Sequence, residues 1–362
     1  MPTPVIIGSK ARRTSAVPGQ ATRASALMTL PLGDPRWSDF VAHRPEATAL
    51  HLPAWGEFLA DCYGFTSFAL TLQQDGRIVA GLPVIQTRNA LRKRRWVSLP
   101  FTDECQPLGE SSALLAEEAD AARRDAGVGS FEVRGTLAAG RLLPQGYSHR
   151  LALQGDLDAL TRGYRSSVRQ GIRVAAREGV TVRVADTAAD LTHTFYPLHV
   201  ATRRRLGVPV QRLRYFRLLW ERLIDPGHGF VMIAERGTDP LAAAVFLHNE
   251  RNVLYKYGAS NAAHWKLRPN NALFQAAIAH SVELGLQTFD WGRTDFEDEG
   301  LRRFKAGWGS QETELTYSTL GEAREPAPTS ASSQHRLARG LIRRSPSPVC
   351  RMTGALLYRY AA

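Results

Sequence analysis

The sequence has few cysteines and no long hydrophobic run. Its three cysteines, Cys62, Cys105 and Cys350, lie far apart and form no CxxC pair, which argues against a disulfide framework and against a zinc site. The longest strictly apolar runs, such as residues 241–247, are much shorter than the ~20 residues that a membrane-spanning helix needs. We therefore expect a protein of the reducing cytoplasm, whose contact with a membrane is at most peripheral, at the inner face.

Standard catalytic motifs are also missing. The chain contains no GxGxxG, GxxxxGKS/T, HExxH or GxSxG sequence. Nothing therefore supports dinucleotide redox chemistry, nucleotide hydrolysis, zinc proteolysis or hydrolysis by an elbow serine. The ten histidines are dispersed and do not form the i,i+4 pairs that hold a metal, so we predict no metal site and no bound cofactor.

Acidic residues are in short supply, because 46 Lys and Arg stand against 34 Asp and Glu. The net charge of +12 favours anionic partners such as phosphates, nucleic acid or an anionic lipid surface. The N-terminal segment has basic but no acidic side chains among Ser, Thr, Ala, Pro and Gly. It predicts a disordered leader over residues 1–30, with Met28 as an alternative start.

The order of predicted elements repeats along the chain. Residues 66–101 predict a strand, a turn at Asp75 and Gly76, a second strand, a basic loop and a third strand. A helix and a further strand follow, and the same order returns about 160 residues later. A duplication explains this pattern, and convergence of two generic patterns is the alternative. The length and the hydrophobic content of 44% suit two α+β domains, predicted at residues 31–155 and 156–322.

Residues 156–180, between the two copies, have the clearest amphipathic pattern of the chain and predict one continuous helix. Five arginines recur on one face at steps of three or four, namely Arg162, Arg165, Arg169, Arg173 and Arg177. Only Glu178 balances them, so like charges repel unless an anion lies there. The stripe is either a solvated face or a phosphate-binding face.

The C-terminal region differs in composition from both copies. Residues 323–335 predict a linker by their Pro, Ser and Ala content, and residues 336–362 hold six arginines and no acid among apolar side chains. This basic tail suits two short helices at a membrane interface. Packing of the tail on the body of the protein is the alternative.

Two segments of the second copy carry the candidate chemistry. Lys266 and Arg268 precede a helix that opens with Pro269, Asn270 and Asn271, so basic side chains flank the N–H groups of a helix start. Acyl-CoA-dependent transferases hold a pyrophosphate with a turn of this kind. The second segment, residues 289–309, predicts a strand end followed by a short helical turn that carries Arg302, Arg303 and Lys305.

Six segments, in this order, resemble the FemAB-like branch of the GNAT superfamily, in particular its acetyltransferase-like group associated with cell-envelope polysaccharides. They are SLPFTDECQPL, RSSVRQGIRVAAREGV, YKYGAS, RPNNALFQAAIAHSVELG, FDWGR and FKAGWG. The resemblance covers about residues 34–320 and implies two tandem GNAT-like domains, each a mixed central sheet flanked by helices. It also implies transfer of an acyl or aminoacyl group to an amine of a cell-envelope glycan or lipid-linked precursor.

The resemblance assigns roles to individual residues. Phe304 and Lys305 would lie at the transfer site, with Lys305 stabilising charge on the transferred carbonyl or the departing donor. We add Asp290 as a base or an orienting acid, since an activated ester needs only an oriented, deprotonated amine. The predicted substrate-binding residues are Asp103, Tyr257, Arg165, Arg169, Arg173 and Arg293. The predicted donor-binding residues are Lys266, Arg268, Asn270 and Asn271.

The donor stays open between acyl-CoA and aminoacyl-tRNA. The second copy lacks the glycine-rich Q/RxxGxG/A turn of CoA-binding relatives, and the chain lacks the helical-hairpin insertion of relatives that use aminoacyl-tRNA. The alternative function is a non-catalytic module of the same fold that binds anionic glycan, nucleic acid or a membrane surface.

Overall fold

The computed structural model describes residues 25–88, 93–109, 112–322 and 342. The described chain forms two compact units, the first up to Pro144 together with the segment that starts at Thr316, and the second over residues 145–315. Residues 1–24 of the predicted leader, the predicted linker at 323–335 and the predicted tail at 336–362, apart from Ile342, lie outside the described residues.

The first unit consists of a sheet and the helices that pack on it. Its described strands are β1 (Ser25–Leu30), β2 (Thr66–Gln74), β3 (Arg77–Arg88), β4 (Arg94–Val97), β5 (Leu108–Gly109) and β6 (Ser130–Val133). Its described helices are α1 (Pro35–Ala42), a 3₁₀ helix at Ala49–His51, α2 (Pro53–Tyr63) and α3 (Ser112–Asp125). Gly64 ends α2 with a φ of 71°.

Strands β1 to β4 form an antiparallel meander, and β6 runs parallel to β4 after the crossover through α3. Asp75 and Gly76 join β2 to β3 with φ values of 50° and 77°, so the predicted hairpin turn is confirmed. Alternate residues of the strands point toward α3 and bury Trp96 and Phe131 against Leu115.

The strands of the second unit are β7 (Arg141–Ala152), β8 (Thr181–Val184), β9 (Gly229–Arg236), β10 (Asp239–His248), β11 (Asn252–Ser260), β12 (Thr288–Thr294) and β13 (Gln311–Gly321). Strand β7 belongs to this unit from Gln145 onward, and β13 belongs to it up to Leu315. Its described α-helices are α4 (Leu157–Gly163), α5 (Ser166–Arg177), α6 (Tyr196–Leu206), α7 (Leu213–Leu219), α8 (Pro269–Glu283) and α9 (Glu299–Ala306). Asp190–Phe195 and Trp220–Ile224 are π-helical, and Ala262–Leu267 is a 3₁₀ helix.

The strands of the second unit follow the order β7-β12-β11-β10-β9-β8. Strands β8 to β11 are antiparallel, and β12 runs parallel to β11 after the crossover through α8. Ala242, Ala244 and Phe246 of β10 join the core that holds α5 and α8. The predicted repeat is confirmed, because both units consist of an antiparallel meander, a crossover helix and a parallel strand.

Three predictions about the elements are wrong. Residues 25–30 do not belong to a disordered leader but form β1, which pairs with β2 along its whole length. Residues 156–180 are not one helix, because the chain is extended at Tyr164 and Arg165 between α4 and α5. The unit boundaries also differ from residues 31–155 and 156–322, since β7 pairs with β12 and the end of β13 pairs with β6.

Within these ranges, none of the helices combines the length and the apolar character needed to cross a bilayer.

Candidate functional site

A cavity of about 550 Å³ lies in the second unit, where the starts of α5 and α8 meet α9. Its walls are Arg165, Ser167 and Val168 from α5 and its cap, Trp265 from the 3₁₀ helix, residues 268–271 at the start of α8, and Gly300, Arg303, Phe304 and Gly307 from α9 and its end. Residues that are up to 142 positions apart thus share one opening, and five of them belong to the predicted site.

The break between α4 and α5 creates one wall of the cavity. The Tyr164 side chain is buried edge-on against Trp308, with 5.0 Å between the ring centroids. The backbone N–H of the next residue, Arg165, donates to the carbonyl of Gly307 at 2.8 Å. The chain therefore turns at Tyr164, and α5 begins at the cavity with the exposed Arg165 as its N-cap.

The start of α8 forms the opposite wall. The backbone of Arg268 is left-handed, with a φ of 55°. This residue is both the C-cap of the 3₁₀ helix and the N-cap of α8. No side chain caps this helix start. Pro269 has no N–H, and the N–H groups of Asn271 and Ala272 donate to the Arg268 carbonyl. The Asn270 N–H and the helix dipole therefore supply the partial positive charge at the cavity. Helix α5 approaches α8 closely at Gly171, where a Cβ atom would lie 2.7 Å from the Asn271 side chain.

The charged residues that line the cavity are all arginines. Arg165, Arg268 and Arg303 line it, whereas no carboxylate of the described residues does. Arg303 pairs with Glu299 at 3.0 Å on the exposed surface of α9. In the part of the chain that the structure describes, neither Arg165 nor Arg268 has an ion-pair partner. The cavity is therefore suited to an anion, which guanidinium groups bind with charge-assisted hydrogen bonds.

Phe304 supplies an apolar wall that rests on the core. Its ring lies 5.8 Å from Phe274, 6.1 Å from Trp291 and 6.2 Å from Trp308, measured between ring centroids. These rings fix the position of α9 beside α5 and α8. An anionic ligand in the cavity would thus meet arginines on one side and an aromatic surface on the other.

Lys305 is placed differently from its neighbour Phe304. Only 2% of its surface is exposed, and its Nζ donates to the carbonyls of Gly292 at 2.7 Å and Arg293 at 3.0 Å. These carbonyls lie at an irregularity of β12, where Gly292 has a φ of 70°. Lys305 does not line the cavity, so the structure shows it as the residue that ties α9 to β12.

Asp290 also contacts this irregular part of β12. Its Oδ1 accepts a hydrogen bond from the Gly292 N–H at 2.7 Å, and its Oδ2 lies 3.3 Å from the Nε of Arg150 on β7. Arg293 pairs with Asp295 at 2.7 Å. Neither Asp290 nor Arg293 is among the residues that line the cavity.

The predicted arginine stripe is divided by the break between α4 and α5. The Arg169 guanidinium turns back to the carbonyls of Arg162 and Tyr164 and caps the end of α4. Arg173 is exposed on α5 and lies outside the cavity lining. Of the stripe, Arg165 alone reaches the cavity, and the five arginines do not lie on one continuous helix. Phosphate contacts of Arg169 and Arg173 stay predictions.

The remaining predicted residues lie elsewhere. Lys266 is exposed on the 3₁₀ helix, outside the cavity lining. The Tyr257 hydroxyl lies 2.6 Å from that of Tyr215 in an aromatic cluster beside His199. Asp103 belongs to the first unit, where its carbonyl accepts a hydrogen bond from the Tyr317 hydroxyl.

Two buried histidines of the second unit have lowered pKa values. Burial, with the nearby positive charge of Lys305, lowers the pKa of His149 to about 4, although Glu312 lies 3.7 Å from its Nε2. Burial also lowers the pKa of His199 to about 3, and Gln211 holds its Nε2 at 2.9 Å. Hydrogen bonds from Arg302 lower the pKa of the Glu312 carboxyl. Neither histidine lines the cavity.

Sequence reasoning missed Trp265 altogether and gave no role in binding to Arg303. Trp265 is 47% exposed, which is unusual for the largest apolar side chain. Its position in the polar segment AAHWKLRPNN was the signal that could have identified it. Among the described residues, no cluster of three or more His, Cys, Asp and Glu side chains could hold a metal ion.

Residues 162–306 match the family model described as an acetyltransferase (GNAT) domain. The match spans nearly all the cavity lining, so the cavity lies in the part of the second unit that resembles this domain. No curated protein sequence matches the chain.

Solved structures show the same fold at low sequence identity. A structure of FemX has a TM-score of 0.66 and 14% identity, covering 80% of this chain and 96% of that one. The C-terminal domain of a putative lysylphosphatidylglycerol synthetase from Agrobacterium fabrum has a TM-score of 0.51 and 14% identity, covering 85% and 95%. A tandem GNAT protein from the clavulanic acid biosynthesis pathway has a TM-score of 0.51 and 12% identity, covering 83% and 100%. The predicted tandem GNAT fold and the resemblance to the FemAB-like branch are thus confirmed.

Proposed function

We propose that the chain transfers an acyl or aminoacyl group from an activated donor to an amine of a cell-envelope glycan or lipid-linked precursor. The observation that carries this proposal is the cavity of the second unit, which three arginines and, among the described residues, no carboxylate line. Activated donors of both candidate classes carry phosphates. Acyl-CoA has a pyrophosphate at the far end of its pantetheine arm, and aminoacyl-tRNA has the phosphate of its terminal adenosine near the reactive ester. The phosphates would contact Arg165 and Arg268, beside the Asn270 N–H at the start of α8.

The chemistry needs orientation more than a reactive side chain. An amine that is held beside the thioester or ester carbonyl and has lost its proton forms an amide bond to it. The C–S or C–O bond breaks, and the CoA thiol or the terminal ribose hydroxyl of the tRNA leaves with a proton. Val168 and Phe304 provide an apolar surface that would exclude water from the reacting carbonyl. Lys305 acts as a positioning residue in this proposal, because its Nζ holds α9, and with it Phe304, against β12.

The acceptor is proposed from charge and from similarity. The net charge of +12 suits an anionic acceptor, and one structure of the same fold comes from a putative synthetase of an aminoacylated lipid. Tyr257, Arg173, Arg293 and Asp103 stay predictions as acceptor contacts. Asp290 likewise stays the predicted base or orienting acid.

The proposal is tested with donor binding and transfer. Acetyl-CoA and an aminoacyl-tRNA are compared as ligands of the full chain by thermal shift, because a ligand that binds only the folded state raises the melting temperature. The donor that binds is then titrated into Arg268→Ala, Arg165→Ala and the control Arg236→Ala, which removes an exposed arginine outside the cavity lining. We expect each cavity variant to lose roughly ten-fold in affinity, since hydrogen bonds to charged groups are strong.

Transfer is followed with the same donor and a set of amine acceptors, including aminosugars and phospholipid headgroups. Equal affinities in Arg268→Ala and Arg236→Ala would remove the cavity from the proposal. Binding to anionic vesicles that high salt abolishes, with neither donor bound nor transferred, would instead establish the non-catalytic alternative.

A further inference from the structure

Trp265 is the most exposed aromatic residue among those that line the cavity, and its ring is held in place. Its Nε1 donates to the Ser260 hydroxyl at 2.9 Å. The Arg205 guanidinium lies over the indole, 4.6 Å from the ring centroid. Nearly half of the side chain, 47%, is nevertheless exposed.

The groups that hold Trp265 form a rigid bracket at the end of β11. The Thr202 hydroxyl donates to the Ser260 carbonyl at 3.2 Å and accepts from the Ser260 N–H at 3.1 Å. Arg205 Nη1 donates to the same carbonyl at 3.3 Å. Thr202 and Ser260 are buried. Helix α6 and β11 therefore fix both Arg205 and the indole that it covers.

A tryptophan fixed in this way is a platform for a planar ring. An aromatic surface whose conformation is already fixed loses little entropy when a flat ligand stacks on it. Arg268 follows Trp265 by three residues, and Arg165 faces the same cavity, so a phosphate beside the stacked ring would meet guanidinium groups. A ring joined to a phosphate is the chemistry of a nucleotide.

We infer that Trp265, with Arg205 behind it, is a base-stacking subsite that binds the adenine ring of a nucleotide-bearing donor. The inference rests on the proposed function, and it assigns the part of the donor that the cavity holds, an adenosine beside phosphate. Coenzyme A contains an adenosine 3′,5′-bisphosphate moiety, and aminoacyl-tRNA ends in an adenosine that carries the aminoacyl group. The adenosine is thus the part that the two candidate donors share.

The first experiment separates the base from the phosphate. Calorimetric titrations of the full chain use adenosine 3′,5′-bisphosphate as a probe with a base and inorganic pyrophosphate as a probe without one. We expect Trp265→Ala to lose roughly ten-fold in affinity for the bisphosphate, as base-stacking residues do on truncation, while its affinity for pyrophosphate stays unchanged. Trp265→Phe should keep most of the affinity, because it retains an aromatic face.

The matched control is Phe296→Ala, which removes another exposed aromatic side chain of the same unit, outside the cavity lining. Its affinity for both probes should equal that of the unchanged protein. Melting temperatures establish that the variants are folded. Equal bisphosphate affinities for Trp265→Ala and the unchanged protein would overturn the inference. An equal loss for pyrophosphate would do so too, since it would show that the variant disturbs the phosphate site.

The second experiment identifies the source of the adenosine. Coenzyme A and a short single-stranded RNA that ends in CCA are titrated into the unchanged protein and Trp265→Ala. A loss of affinity for one of them identifies the donor class, and a loss for both assigns the subsite to the shared adenosine. Transfer from a donor without a nucleotide, together with no binding of any nucleotide probe, would overturn the subsite and leave the proposed transfer standing. Nucleotide binding that depends on Trp265, without transfer to any amine, would support the subsite and overturn the proposed transfer.

Discussion

Each unit has a connection that joins two parallel strands, β4 to β6 in the first unit and β11 to β12 in the second. The two connections are equivalent in the fold, but their polar side chains have different surroundings. In the first unit, Trp55 donates to the Thr102 hydroxyl at 3.1 Å, and His51 Nε2 donates to the Gln106 carbonyl at 2.8 Å. The polar groups of the loop after β4 are thus bonded to the unit's own helical segments.

The backbone of that loop is strained as well. Leu99 and Phe101 have φ values of 65° and 60°, which residues with a Cβ atom rarely adopt. The Ser98 hydroxyl accepts from the Arg134 N–H at 2.7 Å, and this contact helps to hold the strained turn. The polar side chains of this connection therefore stabilise the fold in the first unit, whereas in the second unit the equivalent connection places Arg268 and Trp265 at the cavity.

The largest expected effect comes from removing one buried tryptophan from each unit. Trp308 of the second unit and Trp96 of the first are fully buried, and replacing either by Ala should cost about 3–5 kcal/mol of unfolding free energy. Only Trp308→Ala should also weaken donor binding, because Trp308 supports Phe304 and Tyr164 at the cavity. Hydrogen exchange locates the loss of stability in one unit, and calorimetry measures donor affinity. Equal losses of donor affinity in the two folded variants would contradict the assignment of the donor cavity to the second unit alone.

The next effect concerns Lys305. In the first unit, the segment that follows the equivalent strand β6, residues 134–140, contains no lysine. Lys305→Met leaves the carbonyls of Gly292 and Arg293 without this donor, and we expect it to cost about 2–3 kcal/mol of unfolding free energy. Lys266→Met, at an exposed lysine, should change stability by less than about 0.5 kcal/mol. Denaturant unfolding measures both values.

The same variant distinguishes a positioning role from a catalytic one. If Lys305 only positions α9, the transfer rate of Lys305→Met should fall in proportion to the folded, donor-binding fraction. A rate loss well beyond that fraction would show that Nζ takes part in the reaction, as the sequence analysis predicted.

Local patterns explain what could be predicted from the sequence. The hairpin at Asp75 and Gly76, the helix after Arg268 and the short helix that carries Phe304 each depend on residues within a few positions of one another. The break at Tyr164 was missed because the apolar residues on either side keep the same helical phase, and only packing on Trp308 reveals it. The pairing of β7 with β12 was missed because strand partners far apart in sequence leave no local signal.

The third effect uses pH to compare the buried histidines of the two units. His51 of the first unit is bonded at both ring nitrogens, to the Thr48 N–H and the Gln106 carbonyl. Among the described residues, neither ring nitrogen of His149 in the second unit has a hydrogen-bond partner, and the pKa of His149 is lowered to about 4. The unfolded chain, with a pKa of about 6.5 for this group, binds the proton more readily, so stability falls as pH drops from about 6.5 to 4.

The expected size of this effect is about 2 kcal/mol of unfolding free energy between pH 7 and pH 5. His149→Leu should show a pH dependence smaller by that amount, and His193→Leu, at an exposed histidine, serves as the control. Denaturant unfolding at both pH values measures the difference. An unchanged pH dependence in His149→Leu would mean that His149 does not carry the acid sensitivity of the second unit.

The smallest effect on stability is expected at the contact between α5 and α8. It tests whether the packing of these helices sets the position of Asn271 in the cavity. Gly171→Ala places a Cβ atom 2.7 Å from the Asn271 side chain, which must move, while alanine favours the helix by about 0.5–1 kcal/mol. We expect a net stability change below about 1 kcal/mol and a measurable loss of donor affinity, because Asn271 lines the cavity. Gly163→Ala, at a helical glycine with open space around it, should leave donor affinity unchanged and raise stability by up to about 0.5–1 kcal/mol. If Asn271 binds the donor, adding Gly171→Ala to Asn271→Ala should cause no further loss, and an additive loss would show that α5 affects the cavity by another route.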